Sequence, residues 1–263
     1  MIDLHCHVLA GIDDGPQTIE GSIALARAAA AAGTRTIVAT PHVSWSYDND
    51  AATIAQLVQE TNEALAEAGV DVTILAGAEV AITRAVELDP AELAALTLAG
   101  GPWLLVEFPF TSVSDGLDSL AIELTERGHR LVLAHPERSP SFQRDPALLE
   151  SLVRAGALAS ITAGSLTGTF GGTAKRFARE LVEAELVHNV ASDAHDAVQR
   201  PPAIAEPLRA CCLQALTEWL TQSVPAAIIG GDASLPTRPQ VELEPWRPAR
   251  DSWWRRGPLR RAS

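Results

Sequence analysis

His5 and His7, one residue apart near the start of a 263-residue chain, are the first side chains in it equipped for chemistry. In an extended segment side chains alternate faces, so both imidazoles project to one side while Leu4, Cys6 and Val8 take the other. Asp13 and Asp14 follow closely, and Gly15-Pro16 can fold their loop back over the strand end. Imidazole and carboxylate together suit zinc, iron or manganese, whereas calcium wants oxygen alone. A His-x-His by itself also describes ordinary strand histidines, so its meaning depends on whether the rest of the chain supplies further ligands.

Further candidates do recur. His42 follows Pro41, Glu79 stands in Gly77-Ala78-Glu79, Glu107 in the apolar run WLLVEF, His135 heads His-Pro-Glu-Arg, and Asp193-Ala194-His195 repeats the i, i+2 spacing of the first pair. A glutamate inside WLLVEF costs several kcal/mol if buried without a partner. A metal removes that difficulty, as would an arginine such as Arg138. Nine candidate ligands, His5, His7, Asp14 (with Asp13 as its alternative), His42, Glu79, Glu107, His135, Asp193 and His195, are too many for one ion. Two or three divalent ions sharing a bridging carboxylate are expected. Cys6 faces the other way and is read as packing.

These residues need a scaffold that gathers them. Ala-rich segments over 18–32 and 53–68 have good helix propensity and stop at Gly33 and Gly69, where a positive φ is wanted. Short apolar runs over 36–40, 72–76, 103–108, 131–134, 158–161 and 187–191 read as buried strands, and with the first strand they make seven. Continuous apolar strands alternating with helices imply a parallel sheet covered on both faces. An open doubly wound sheet usually carries a Gly-rich loop after its first strand, absent here, so the expected fold is an α/β barrel of the distorted (βα)7, TIM-like kind. His7, His42, Glu79, Glu107, His135 and Asp193 all fall at or just past strand ends, which in such a barrel share one rim. Of the seven histidines only His129 and His188 lie away from strand ends. The small residues of Gly164-Ser165-Leu166-Thr167-Gly168 suggest an open stretch of that rim.

Composition narrows the class. A net charge of −13 argues against a nucleic-acid partner. Residues 245–263 carry six Arg and one Asp, +5, so the remainder carries −18. No run of about eighteen apolar residues could span a bilayer. No leader-like segment precedes the His-x-His strand, and three unpatterned cysteines fit a reducing compartment, so a cytoplasmic location is expected. The barrel domain is expected over 1–235. The Pro-, Arg- and Trp-rich stretch 236–263, with Trp246, Trp253 and Trp254, is expected to be a poorly ordered tail, solvated or resting on anionic lipid or a partner.

The motifs His5-Cys6-His7, Asp13-Asp14-Gly15-Pro16, Pro41-His42, Gly77-Ala78-Glu79, Glu107-Phe108, His135-Pro136-Glu137-Arg138, Ser192-Asp193-Ala194-His195 and Arg200-Pro201-Pro202 resemble the PHP (polymerase and histidinol phosphatase) family. The branch they look most like is the bacterial capsule-associated, metal-dependent protein tyrosine phosphatases. The resemblance runs from residue 2 to about 202 and fails beyond about 230. It implies a trinuclear site, manganese first with iron or zinc as alternatives. One ion would take His5, His7, Glu79 and Asp193, a second Glu79 as bridge with Glu107 and His135, and a third Asp14, His42 and His195. Arg138 and Arg200 would hold phosphoryl oxygens while a metal-activated hydroxide attacks phosphorus. The implied substrate is a phosphotyrosine protein, a membrane-associated tyrosine kinase of polysaccharide synthesis. Two phosphatase or barrel alternatives stand beside it: a histidinol-phosphate or other small-molecule phosphatase, and an amidohydrolase, for which Lys175 is the one lysine available and sits on an expected helix. A non-catalytic binding module is disfavoured, since no ligand position is missing. The Cys-x5-Arg loop of thiol-based tyrosine phosphatases is absent.

Overall fold

Among the described residues nine short strands carry the fold: β1 (Ile2–Cys6), β2 (Thr36–Ala39), β3 (His42–Val43), β4 (Thr73–Ala76), β5 (Glu79–Ala81), β6 (Trp103–Glu107), β7 (Arg130–Ala134), β8 (Leu158–Thr162) and β9 (Val187–Ala191). The structure, a computed structural model, describes residues 1–111, 116–232 and 234–243. Every pairing is parallel, in the orders β1-β2-β4 and β3-β5-β6-β7-β8-β9. Two strand lines are each broken into a pair, β2 with β3 at Thr40-Pro41 and β4 with β5 at Gly77-Ala78, so the nine pieces occupy the seven expected positions. Proline cannot donate to a ladder, which accounts for the first break. At Gly77 an added Cβ would lie 2.8 Å from Val38 Cγ1, so only glycine permits that close approach. The ring closes where Asp193 N–H donates to His5 O at 2.8 Å and His7 N–H donates to Ala194 O at 2.9 Å.

The sequence explains the helix starts. Thr18 accepts from Gly21 N–H to cap the helix Ile19–Ala31, and Asp50 accepts from Thr53 N–H at 2.8 Å to start the next helix at Ala51, two residues before its expected start. Leu25 and Leu65 on these helices, Leu124 on the helix Leu117–Glu126 and Leu181 on the helix Gly171–Glu183 are buried in the core. Just past the ends of β6 and β7, Phe108 and Phe142 meet with ring centroids 4.7 Å apart.

Buried polar contacts fix the register of the rim. Asp3, fully buried on β1, accepts from Ser192 N–H at 3.0 Å and from Ser192 Oγ at 2.5 Å, pinning the residue that precedes Asp193. Gly15 presses on the end of β1: an added Cβ would sit 2.5 Å from His7 O. Residues 236–243 run over the body, with Pro236 O accepting from Trp219 Nε1 at 2.9 Å and Val241 and Leu243 against the core. The remainder of the expected tail, including Trp246, Trp253 and Trp254, lies outside the described residues.

The rim stretch 164–168 differs from expectation. It belongs to a short helix, Ala163–Thr167, in which Ser165 and Leu166 are fully buried. Ser165 Oγ donates to Glu137 Oε1 at 2.7 Å and is drawn inward, while Thr167 stays exposed and Gly164 and Thr167 line a cavity beside Asp193 and Arg200.

The close approach at Gly15 gives a direct test. Gly15→Ala is expected to cost about 1–3 kcal/mol through overpacking against His7, read as a shift of the urea midpoint at unchanged slope; a midpoint within error of wild type would contradict the packing described.

Candidate metal centre

All nine candidate ligands converge at the C-terminal mouth of the barrel. His5 leaves β1, and His7 sits just beyond its end. Glu79 opens β5, Glu107 ends β6, and His135 and Asp193 follow β7 and β9. His135 and Asp193 have φ of 31° and 51°, the left-handed region that non-glycine residues rarely adopt. Such strain is held at sites whose side-chain aim matters.

At the centre, His5 Nε2 and His7 Nε2 lie 3.3 Å apart. Asp193 Oδ1 is 3.5 Å from each, and Glu79 Oε2 is 3.3 Å from the first and 3.5 Å from the second. Four donors held about 2.1 Å from a tetrahedral ion lie about 3.4 Å from one another, so this spacing fits a divalent cation. Hydrogen bonding does not satisfy the group: Glu79 Oε2 and His195 Nε2 are buried without a hydrogen bond. Glu79 Oε1 reaches His135 Nε2 at 2.7 Å, and Glu107 Oε1 lies 3.6 Å from that nitrogen. His42 bridges two regions, with Nδ1 3.0 Å from Glu79 Oε2 and Nε2 3.5 Å from Asp14 Oδ1. His195 Nε2 is 3.2 Å from the same Asp14 oxygen.

Asp13 and Asp14 divide the work. Asp13 Oδ2 accepts from His7 Nδ1 at 2.7 Å and from His42 N–H at 3.1 Å, while Oδ1 accepts from Gly15 N–H at 2.9 Å. Its oxygens are spent on orienting His7 and closing the loop. Asp14 is left half exposed and facing His42 and His195.

Arg138 and Arg200 stand beside this group on one carboxylate oxygen. Arg138 Nη1 and Arg200 Nη2 both donate to Asp193 Oδ2, the second at 2.7 Å. Arg138 therefore does not pair with Glu107, the alternative that sequence left for it. Phe170 backs both guanidiniums, 4.2 Å from Arg138 Cζ and 5.6 Å from Arg200 Cζ. Asp196 takes the N–H groups of Val198, Gln199 and Arg200 and fixes the loop that delivers Arg200. Glu137, fully buried, accepts from Thr162 N–H at 3.0 Å as well as from Ser165 and ties β8 to the turn bearing Arg138. Sequence reasoning gave Glu137, Phe170 and Asp196 no role; a charged residue beside His135-Pro136 was the available signal for the first.

The electrostatics are those of crowded donors. Burial acts to raise Glu79, but the His5 and His135 charges hold it well below the usual carboxylate range. Asp193 is likewise lowered against burial, by His5 first and then His7 and His135. Burial, with the Glu79 charge next, pushes Glu107 up to about 7. His7 is raised despite burial by its bond to Asp13 and by the Asp193 and Glu79 carboxylates beside it. His195 falls to about 4 through burial and then the His7 and Arg200 charges.

A parallel barrel with imidazoles and carboxylates massed at the C-terminal ends of its strands is the architecture of a TIM-like metallohydrolase. The model of the family Capsular polysaccharide synthesis, CpsB/CapC, matches residues 1–224, and the chain belongs to that family. It is similar to tyrosine-protein phosphatase YwqE of Bacillus subtilis, 42% identical over 201 residues covering 76% of this chain and 79% of that protein. Tyrosine-protein phosphatase CpsB of Streptococcus pneumoniae is 31% identical over 214 residues, 77% of this chain and 86% of that protein. A crystal structure from work on YwqE and CpsB, described as unique metal-dependent tyrosine phosphatases, has TM-score 0.83 and 37% identity, covering 91% of this chain and 98% of that one.

The raised Glu107 carboxyl sets a pH dependence. Below about pH 7 it holds a proton that an incoming cation must displace, so manganese affinity measured by calorimetry is expected to weaken by about tenfold or more per pH unit as pH falls, and to go on rising above 7 while His7, raised against burial by Asp13, and His42, raised against burial by Glu79, lose their protons. His195, at about 4, is neutral throughout that window. Affinity independent of pH between 6 and 8 would contradict the assignment of Glu107 to the centre.

Proposed function

We propose that this chain is a metal-dependent protein-tyrosine phosphatase of the capsular polysaccharide type. The observation that carries the reading is the 3.3–3.5 Å approach of Glu79 and Asp193 oxygens to the His5 and His7 nitrogens, themselves 3.3 Å apart, which suits a cation. These four would hold one ion; Glu79, Glu107 and His135 would hold a second; Asp14, His42 and His195 would hold a third. Manganese is the first choice, with iron or zinc as alternatives, because N/O sites accept all three and availability decides. Bound divalent ions supply positive charge against phosphoryl oxygens and a water acidified toward neutral pH.

The chain's own residues do the rest. Arg138 and Arg200 present planar forks beside Asp193 and orient the phosphoryl oxygens. Phe170 holds both guanidiniums in place from behind. A tyrosyl leaving group has pKa about 10, so departure needs no dedicated acid. No thiol takes part: burial first, then the Asp3 charge, raises Cys6 well above its ordinary value, keeping it a protonated packing residue. The proposed substrate is a phosphotyrosine protein, the membrane-associated kinase of polysaccharide synthesis, met in the cytoplasm. Among the described residues no helix is long and apolar enough to cross a membrane. Residues 1–235 form the proposed catalytic domain and 236–263 its appendage. The names of YwqE and CpsB, and the family description, support this reading.

Hydrolysis of a phosphotyrosyl peptide is expected to vanish on thorough chelation, return with manganese and survive thiol alkylation. Turnover that persists in metal-free protein would refute the reading. Arg138→Ala and Arg200→Ala are each expected to lower kcat/KM about 10²–10³-fold with metal content retained by elemental analysis; loss of metal would instead make the arginines supports for Asp193.

A further inference from the structure

Large apolar side chains are exposed at four described positions, Trp45, Phe110, Ile122 and Val198. A single exposed apolar residue needs no explanation, but the surroundings of Phe110 set it apart. It lies three residues past Glu107, on the loop leaving β6 at the mouth of the barrel. Its ring stacks on His135 with centroids 5.5 Å apart and planes at 24°. Arg138 Cζ lies 5.4 Å from the same ring. Half of Phe110 remains exposed. The Phe110 ring therefore lies against both a proposed ligand of the second ion and a proposed phosphoryl-binding guanidinium, and still borders solvent.

We infer that Phe110 is the specificity-determining residue that receives the aromatic ring of the substrate ester. The inference rests on the phosphatase reading and deepens it. A phosphoryl group lying among His135, Glu107 and Arg138 has its charged oxygens turned toward cations, so its ester substituent must leave through the mouth. There the apolar surface in contact with both His135 and Arg138 is Phe110. Aromatic rings favour offset or edge contacts at centroid separations of about 4.5–7 Å, within reach of an aryl group one ester bond from the phosphorus. An alkyl ester gains no comparable contact. Tyr47 and Phe170 are the competing surfaces. Phe170 is half-buried and lies behind both guanidiniums, whereas Phe110 is half exposed and also stacks on His135. Tyr47 stacks on His42 at 5.4 Å and 17°, but it is half-buried, its N–H is tied to Ser44 Oγ, and among the described residues no guanidinium lies over its ring.

The test uses non-hydrolysable probes on the manganese-loaded full chain, so that binding is read without turnover. Phenylphosphonate and methylphosphonate are compared by calorimetry on wild type, Phe110→Leu, Phe110→Tyr and Tyr47→Leu. Wild type is expected to prefer the phenyl probe, and Phe110→Leu to shrink that preference about threefold to tenfold. Phe110→Tyr is expected to restore it, and Tyr47→Leu to leave it in place. Equal weakening of both probes in Phe110→Leu would make Phe110 a mere prop for His135 and overturn the inference, as would a preference that follows Tyr47. Methylphosphonate binding without any phenyl preference would sink this inference alone; absence of methylphosphonate binding to wild type would sink the phosphatase reading with it.

Discussion

The carboxylate of Glu79 is the joint on which the mouth of this barrel depends. It is 1% exposed, and four imidazoles surround it: His135 at 2.7 Å from one oxygen, His42, His5 and His7 at 3.0, 3.3 and 3.5 Å from the other. A buried anion is costly unless cations face it. Here the four rings come from three separate stretches of chain, so the group exists only when the barrel closes. The break at Gly77-Ala78 has its purpose in this light. It restarts the strand line as β5, with Glu79 paired across to His42 on β3 and Leu105 on β6.

Around that joint a second layer sets aim rather than charge. Asp13 fixes His7 through Nδ1 and leaves Nε2 turned inward; such outer partners orient ligands and strengthen them as donors. Asp3 works from inside the barrel, holding Ser192 so that Asp193 emerges with one oxygen toward the imidazoles and the other toward Arg138 and Arg200. Glu137 links the arginine-bearing turn to β8. Three carboxylates that do not face the proposed ions thus place the residues that do. Each is buried because an orienting hydrogen bond weakens when water competes for it.

Much of this was legible before any coordinates. The seven apolar runs mark seven strand positions, because a strand buried on both faces leaves a continuous apolar signature, and chemistry-bearing residues at their ends then share a rim. The span 187–191 agrees residue for residue with β9. The short strands β3 and β5 were not legible, since two or three residues carry no period. Asp13 and Asp14 could not be separated by spacing, because the choice depends on which carboxylate meets the N–H groups of Gly15 and His42, the latter brought by the fold. In the stretch 164–168 the helical form was not legible, since small residues describe an open loop as well as a helix whose Ser165 is drawn inward by Glu137, 28 residues away, while Gly164 and Thr167 still line a cavity beside Asp193. Family resemblance supplied the grouping of ligands and the substrate class; residue chemistry alone reached a polynuclear metal site and a phosphoester.

The account stands on cations lying among side chains that are otherwise mutually uncomfortable. Anomalous diffraction from crystals grown with manganese tests this most directly. The predicted result is a peak enclosed by His5, His7, Glu79 and Asp193, with further peaks toward His135 and Glu107 and toward Asp14, His42 and His195. A map with no peak within coordinating distance of Glu79, from crystals shown by emission spectrum to contain manganese, would contradict it.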